Sequence, residues 1–225
     1  MLTSSDAEAD DGADAGEGVD ATGETIDDEN QVTFFVAPDG SDDIDGAQAQ
    51  NRDTPFQSIS RAVAEAQAGQ RIAVADGNYD EDIFLNNSGT ADGDIVIEAE
   101  NEQGAVLNGF FHGRNVSHIT VDGFDISNPE PENPEIAQGV VFYESHNITV
   151  SDNVVHDSFG GGIAFNQSDS TLIEGNTVNG NGLLHPDAHS GISVYQPQQR
   201  EDADGEYGVI IRNNISFDNA SLLVN

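Results

Sequence analysis

Short strand-like segments recur along this chain, in two series that share a minimum spacing of 23 residues. One series reads GVVFY, GIAFN and GISVY and begins at Gly139, Gly162 and Gly191, with separations of 23 and 29 residues. The other series has an asparagine beside each strand, at Asn153, Asn176 and Asn214, with separations of 23 and 38 residues. A β-sandwich is not expected to keep one period in two independent series, so the pattern favours a solenoid of repeats.

A repeat of this length, built from short strands, predicts a parallel β-helix. One coil cannot bury its own apolar face, so successive coils stack at the spacing of neighbouring strands, about 4.8 Å, and share a core. The three asparagines would then lie above one another as a hydrogen-bonded ladder. We interpret the longer separations as insertions in the turns between strands.

The segment DTPFQSISRAVAEAQAG carries the good helix signal of the chain. Thr54 is a candidate cap, Pro55 suits a first turn and Gly69 would end the helix. We expect the helix, taken as residues 58–68, to cover the open end of the solenoid and hide its apolar core.

The segment from FVAPDGSDD to GNYDEDI resembles the N-terminal portion of the pectate-lyase-like, right-handed parallel β-helix superfamily. In that group a strand, an Asp/Gly turn, a Pro-Phe pair and a short capping helix precede a Gly-x-Tyr segment, which here is Gly77 to Tyr79. The resemblance covers residues 32–225. It implies an all-β, single-stranded right-handed parallel β-helix with one short N-terminal capping helix. It implies little about chemistry, because lyases, hydrolases, epimerases and non-catalytic proteins share this scaffold.

The charge of the chain is strongly one-sided, with 42 acidic and 6 basic residues and a formal net charge of −36. All six basic residues are arginine. A negative field of this size repels nucleic acid and anionic membranes, so we expect neither as a partner. Screening at high salt would relieve the self-repulsion. The composition resembles that of haloarchaeal proteins.

Residues 1–30 are acidic, small and poor in large apolar side chains, which predicts a disordered linker. Residues 31–225 are expected to form one β-helix domain, and because the sequence stops within a turn we expect the domain to be incomplete at its C-terminus. No apolar run reaches the roughly 20 residues that span a bilayer. The acidic linker favours an extracellular or cell-surface location, with a cytoplasmic protein as the alternative, and we expect a monomer.

Stacking would bring residues with chemical potential to one corner of the solenoid. Three residues after the ladder asparagines come His156, Asn179 and Phe217, and four residues after them come Asp157, Gly180 and Asp218. The insertions NPEPENPEIAQ and NGNGLLHPDAHS enter the same corner. The residues expected to converge there are Glu130, Glu132, Glu135, His156, Asp157, His185, Asp187, His189 and Asp218.

Three interpretations of this corner stay open. In a polysaccharide lyase, Ca²⁺ or arginine neutralises a uronate carboxylate while a base removes the adjacent proton. In a hydrolase, two carboxylates flank the scissile bond. In a non-catalytic glycan-binding or cell-surface protein, the corner is a solvated polar turn. The lyase is our leading interpretation, with an acidic polysaccharide as the partner. It assigns His156, His185 and His189 as candidate catalytic residues, Asp157, Asp187 and Asp218 as ligands of Ca²⁺, and Glu135, Asn179 and Arg212 as substrate-binding residues.

Overall fold

A computed structural model describes residues 31–131, 133, 137–183, 190–198 and 208–219 of the chain. Within these ranges the strands are short and are joined by turns, with two short helices near the start. The elements are β1 (Thr33–Val36), α1 (Gly46–Ala49), α2 (Ile59–Glu65), β2 (Arg71–Val74), β3 (Gly77–Leu85), β4 (Ile95–Ala99), β5 (Ala105–Arg114), β6 (Ser117–Asp122), β7 (Asp125–Ser127), β8 (Val140–Tyr143), β9 (His146–Ser151), β10 (Val154–His156), β11 (Ile163–Asn166), β12 (Asp169–Glu174), β13 (Thr177–Asn179), β14 (Ile192–Tyr195), β15 (Val209–Arg212) and β16 (Ile215–Phe217).

The paired strands are parallel and form three faces of a solenoid. Face A is a seven-stranded sheet in the order β1-β2-β4-β6-β9-β12-β15. The long strand β5 pairs with β7 through its first half and with β8 through its second half. Face B therefore contains β7, β10, β13 and β16, and face C contains β8, β11 and β14. Strands that step from face to face in sequence order confirm the predicted parallel β-helix.

The long strand β5 bends between faces B and C at Gly109. A Cβ atom at this position would lie 2.1 Å from the backbone carbonyl oxygen of Glu81 on the neighbouring strand β3. Only a residue without a side chain allows the two backbones to approach so closely. Gly109 thus permits the turn that places Asn108 on face B and His112 on face C.

The predicted asparagine ladder is present and buried. The Asn176 side-chain oxygen accepts hydrogen bonds from the backbone and side-chain nitrogens of Asn153, at 3.0 and 3.1 Å. The Asn214 oxygen accepts the equivalent two bonds from Asn176, at 2.9 and 3.0 Å. Since these amides satisfy backbone groups at a turn that has no sheet partner, they hold one coil on the next.

A second ladder, which the sequence reasoning did not identify, runs through the next turn. Asn181 accepts a hydrogen bond from the backbone of Ser158 at 3.0 Å, and Asn219 accepts from the backbone and side chain of Asn181 at 3.1 and 2.9 Å. This turn leads from face B to face C. The ladder fixes the backbone immediately after the predicted functional corner.

The apolar core lies inside the coils, where alternate strand residues point inward. Phe142 and Phe165, which occupy matching positions on β8 and β11, stack with their ring centroids 5.4 Å apart and an angle of 14° between the rings. Both side chains are fully buried. The stacked rings continue the register of the backbone into the core.

The capping helix α2 begins later than the sequence suggested. Its N-cap is Ser58 rather than Thr54, and the Ser58 side chain accepts a hydrogen bond from the backbone of Arg61 at 3.1 Å. Phe56 is fully buried and forms a bridge with Val36, so the Pro-Phe pair extends along the first strand instead of starting the helix. Tertiary burial of Phe56 therefore overrides the local preference of Pro55 for a first helical turn.

The short helix α1 is an addition to the single predicted helix. Asp45 and Gln48 form a capping box in which each side chain bonds the other's backbone nitrogen, at 2.9 and 3.2 Å. A helix of one turn leaves no periodic pattern to recognise. Neither helix of the described residues is long and apolar enough to cross a membrane.

Candidate functional site

A groove of about 370 Å³ opens on face B at the turn towards face C. It is lined by Ser127, Pro129, His156, Asp157, Ser158, Phe159, Gly180 and Leu183. His156 ends β10, where its backbone is in register with Ser127 on the preceding coil and Asn179 on the following one. This register confirms the stacking of His156 on Asn179 that the spacing predicted.

The turn beyond β10 has a conformation that the sequence supports. Asp157, Gly180 and Asp218 follow the ends of three successive strands with φ values of 50°, 67° and 52°. This left-handed region is accessible to glycine and is tolerated by aspartate, whose short side chain bonds locally. The sharp turn directs the Asp157 carboxylate back towards His156.

Both ring nitrogens of His156 contact carboxylates. Nε2 lies 2.8 Å from Oδ1 of Asp125, which begins β7 on the preceding coil, and Nδ1 lies 2.8 Å from Oδ2 of Asp157. Partial burial by itself would lower the pKa of His156. The hydrogen bonds from Asp157 and Asp125 outweigh that effect, so the pKa is raised above its usual value. The arrangement therefore favours the imidazolium form near neutral pH.

A row of polar side chains crosses face B and leads to His156. The Asn108 amide donates to Asp80 at 2.7 Å, and the Ser127 hydroxyl donates to the Asn108 oxygen at 3.2 Å. The next positions in this row are His156, Asn179 and Phe217. Hydroxyl, amide and carboxylate groups in one line can exchange hydrogen bonds with a ligand rich in hydroxyl groups.

Sequence reasoning did not identify Asp80, Asn108, Asp125 and Ser127 as members of this row. In the coil that carries Asp125 and Ser127, Phe124 occupies the ladder position, and its backbone nitrogen donates to the Asn153 oxygen at 2.9 Å. Because a phenylalanine replaces the asparagine there, the repeat was not recognised. The separation of 29 residues between Ser127 and His156 was the signal that could have revealed it.

The structure brings His156, Asp157 and Asn179 together and leaves Arg212 elsewhere. Arg212 ends β15 on face A, where its guanidinium donates to Glu174 at 2.6 Å. Asp218 belongs to the second coil after Asp157, with Gly180 between them in the stack. Glu130 lines a separate acidic depression together with Asp80. The predicted residues that lie outside the described residues are Glu132, Glu135, His185, Asp187 and His189.

The described residues do not fit a calcium site. In the described part of the chain, no group of three or more histidine, aspartate or glutamate side chains is arranged to hold a metal ion. The Asp157 carboxylate already contacts His156, and the coil of Gly180 separates it from Asp218. A Ca²⁺ site made from Asp157, Asp187 and Asp218 stays a prediction, and no chemical step below depends on a metal.

The chain matches a family model described as a right handed beta helix region over residues 75–224. This match covers more than half of the chain, so the protein belongs to that family of right-handed parallel β-helix proteins. A second model, described as a protein of unknown function, matches residues 39–85. Both matches lie within the part of the chain for which the sequence predicted this fold.

Two curated proteins are similar to parts of the chain. The uncharacterized protein YwoF of Bacillus subtilis (strain 168) is 25% identical over 124 residues, which are 55% of this chain and 22% of YwoF. Pectate lyase PEL9 of Emericella nidulans is 38% identical over 78 residues, which are 34% of this chain and 18% of PEL9. The chain thus spans less than a quarter of the length of either relative.

Solved structures of polysaccharide lyases share the fold. Pectate lyase Pel9A has a TM-score of 0.64 at 16% identity, with 83% of this chain and 48% of Pel9A covered. An alginate lyase from Paenibacillus sp. str. FPU-7 has a TM-score of 0.57 at 18% identity, with 69% of this chain and 54% of the lyase covered. At these identities the likeness shows the β-helix fold and not the reaction.

Proposed function

We propose that the protein is a lyase that cleaves an acidic, uronate-containing polysaccharide by β-elimination in the groove at His156. The observation that carries this proposal is the placement of His156 between Asp125 and Asp157 in an open groove on face B. The similarity to pectate lyase PEL9 supports the same class of reaction. The hydroxyl-binding row that ends in Asn179 supports a glycan as the substrate.

The reaction needs one base and no added oxidant. The base takes the proton from the carbon next to the uronate carboxylate, and the electrons of that C–H bond form a carbon–carbon double bond. The bond between the neighbouring carbon and the glycosidic oxygen breaks, and the departing oxygen takes up a proton. Neutral His156 supplies the base, and its protonated form can return the proton to the leaving oxygen.

The two carboxylates have different parts in this scheme. Asp125 is less exposed than Asp157, with 29% and 62% of the respective side chains accessible. The more exposed contact, between Asp157 and Nδ1, is the one that can open to admit substrate. Asp125 then keeps its bond to Nε2, orients the ring and stabilises the charge that His156 gains.

The remaining candidates belong to the same proposal. His185 and His189 are further candidate bases, and Glu135 and Asn179 are candidate substrate contacts. We propose Ca²⁺, held by Asp157, Asp187 and Asp218, as an aid to binding, because a chain with a net charge of −36 repels an acidic polymer. The same charge supports action in concentrated salt at an extracellular or cell-surface location. Arg212 stays a weaker candidate, since it is paired with Glu174 on face A.

The test is an ultraviolet assay for the unsaturated sugar that β-elimination creates. The protein is incubated at about 1 M salt, where charge repulsion is screened to about 3 Å, with pectate, alginate or a glycosaminoglycan. Each mixture is run with added Ca²⁺ and with a chelator. We expect absorbance to rise for at least one polymer. Replacement of the base, His156→Gln, should lower kcat/KM by about 10²- to 10⁴-fold.

The matched control is His118→Gln, which changes a histidine on face A that also contacts an aspartate, Asp94. It should retain the parent activity, and circular dichroism should show that both variants are folded. If no polymer yields the absorbing product, the lyase proposal is wrong. New reducing ends without absorbance would indicate a hydrolase.

A non-catalytic glycan-binding protein is the second candidate. Two observations favour it: both ring nitrogens of His156 are occupied, and the chain contains no lysine to serve as an alternative base. This candidate predicts that the protein binds one of the polymers at high salt and releases neither an absorbing product nor reducing ends.

A further inference from the structure

A strip of aromatic side chains lies on the outer surface beside face C, away from the groove at His156. We call it the aromatic strip, and it consists of Phe84, Phe110, His112, Tyr143 and the neighbouring Arg114. The ring centroids of Phe84 and His112 lie 5.5 Å apart, and those of His112 and Tyr143 also lie 5.5 Å apart. Phe84 is 46% exposed although its side chain is wholly apolar.

The backbone register sets the direction of the strip. Phe84 on β3 is opposite His112 on β5, and Arg114 on β5 is opposite Tyr143 on β8. The strip therefore crosses the strands and runs along the solenoid axis, with one coil contributing about 4.8 Å. Its last outward position, after Asn166, is Tyr195, which is 61% exposed.

Arg114 differs from the other arginines that the structure describes. Four of these form ion pairs with a glutamate at hydrogen-bonding distance, namely Arg52, Arg61, Arg71 and Arg212. Arg114 lies 3.7 Å from its nearest recorded carboxylate, Glu144, and its guanidinium carbon is 4.4 Å from the centre of the Tyr143 ring. Half of its side chain is exposed. Its planar donors can therefore accept a carboxylate from solution.

The electrostatic setting keeps the middle of the strip uncharged. Burial lowers the pKa of His112, and the nearby Arg114 charge lowers it further. His112 is thus a neutral ring near pH 7. A neutral aromatic row with a single cation beside it contrasts with the acidic surface of a chain whose net charge is −36. Large exposed apolar side chains on such a surface mark a binding site.

We propose that the aromatic strip is a binding subsite for one uronate residue of a polysaccharide. The C–H face of the sugar packs on the rings of His112 and Tyr143, and the sugar carboxylate pairs with Arg114. Further sugars would extend along the strip, past Phe84 or towards Tyr195. The polymer class is taken from the proposed function, but the subsite needs no cleavage to operate.

The test measures binding of hexagalacturonate by titration calorimetry at about 1 M salt. The same hexasaccharide with its carboxyl groups reduced to alcohols serves as the neutral probe. A His156→Gln background prevents turnover. In that background we compare Tyr143→Ala, Tyr143→Phe and Arg114→Gln, each checked for folding by circular dichroism.

The expected results separate the ring from the charge. Tyr143→Ala should raise the Kd for hexagalacturonate by about tenfold, whereas Tyr143→Phe should change it less than about twofold because the ring remains. Arg114→Gln should raise the Kd by about tenfold for the charged sugar and leave it unchanged for the reduced one.

The matched control is Arg52→Gln, which removes an arginine that also stacks on an aromatic ring. Its guanidinium lies 4.5 Å from the centre of the Phe35 ring, and Phe35 belongs to face A. Its Kd should equal that of the background protein. The proposal is overturned if Tyr143→Ala and Arg114→Gln bind like the background, or if the background binds no hexagalacturonate.

These outcomes are distinct from failure of the proposed function. Binding that depends on Tyr143 and Arg114, without an unsaturated product from the parent protein, would leave the subsite standing and remove the lyase. Unsaturated product with unchanged binding in both variants would do the reverse.

Discussion

The Nε2 atom of His156 and the Oδ1 atom of Asp125 are 2.8 Å apart although 31 residues separate them in sequence. Asp125 is at the first position of β7 and His156 is at the last position of β10, one coil further on. The contact is therefore diagonal across two adjacent strands. It gives the single histidine of the groove a carboxylate partner that belongs to another coil.

We predict that His156 and His112 titrate on opposite sides of the usual histidine pKa of 6.5. Hydrogen bonds to Asp157 and Asp125 raise the pKa of His156, and burial with the Arg114 charge lowers that of His112. Nuclear magnetic resonance titration of the ring protons measures both. The substitution Asp125→Asn should lower the pKa of His156 and leave that of His112 unchanged. A His156 pKa below 6.5 in the parent protein would contradict the geometry.

The same shift should govern catalysis by His156. Because the base is the neutral ring, kcat/KM should increase as pH rises through the elevated pKa, and Asp125→Asn should move that rise to lower pH. The effect on stability has the opposite sign. A raised folded-state pKa stabilises the fold fully below 6.5, and this contribution is lost as pH rises through the folded value. A pH–rate profile and unfolding curves across this window check both.

The asparagine ladder predicts a stability cost for Asn176→Ala. The Asn176 side chain is fully buried, accepts two hydrogen bonds from Asn153 and donates to the backbone carbonyl of Val150 at 2.8 Å. Its removal leaves buried polar groups unpaired, at about 1–3 kcal/mol each. We expect the free energy of unfolding to fall by about 3 kcal/mol in denaturant titration.

The control for the ladder is Asn86→Ala, since Asn86 is exposed and makes only a local side-chain contact with the carbonyl of Phe84, at 3.3 Å. It should change the free energy of unfolding by less than about 0.5 kcal/mol. Equal costs for the two substitutions would mean that the ladder does not hold the coils together.

Glu81 should be important for the capping helix. Its two carboxylate oxygens accept hydrogen bonds from the backbone nitrogens of Ile59 and Ser60, at 2.8 and 2.9 Å, in the first turn of α2. In Glu81→Gln the amide nitrogen cannot accept, so one charge-assisted bond is lost, at about 1.5–3 kcal/mol. Glu65→Gln, which removes an exposed partner of Arg61, should cost less than about 0.5 kcal/mol. A larger loss in Glu65→Gln would refute this role.

Salt should raise the stability of the whole domain. At about 0.1 M salt the screening length is about 10 Å, so many of the 42 acidic residues repel one another, whereas at about 1 M it falls to about 3 Å. We expect the thermal unfolding midpoint to rise over this range. NaCl and KCl should act alike because screening depends on ionic strength. A midpoint that is independent of salt would contradict the interpretation.

The repeat spacing of 23 residues predicted the register of face B correctly from Asn153 onwards. Asn153, Asn176 and Asn214 stack as expected, and with them His156, Asn179 and Phe217. The prediction failed in the earlier coils, where Phe124 replaces the ladder asparagine and the strands β3 and β5 are longer. There the pattern carries no repeated residue, so Asp125 and Ser127 could not be assigned to the groove.

The sequence by itself determined the class of fold, because the alternation of short apolar strands with turn residues at a common period is satisfied only by stacked coils. It also determined which residues share a column, since the number of residues per coil sets that relation. Only the tertiary structure decided that Asp125 reaches His156 and that Phe84, His112 and Tyr143 form one strip. Those contacts are diagonal or cross strands of unequal length. They depend on the bend at Gly109 and on side-chain directions, which a linear period does not contain.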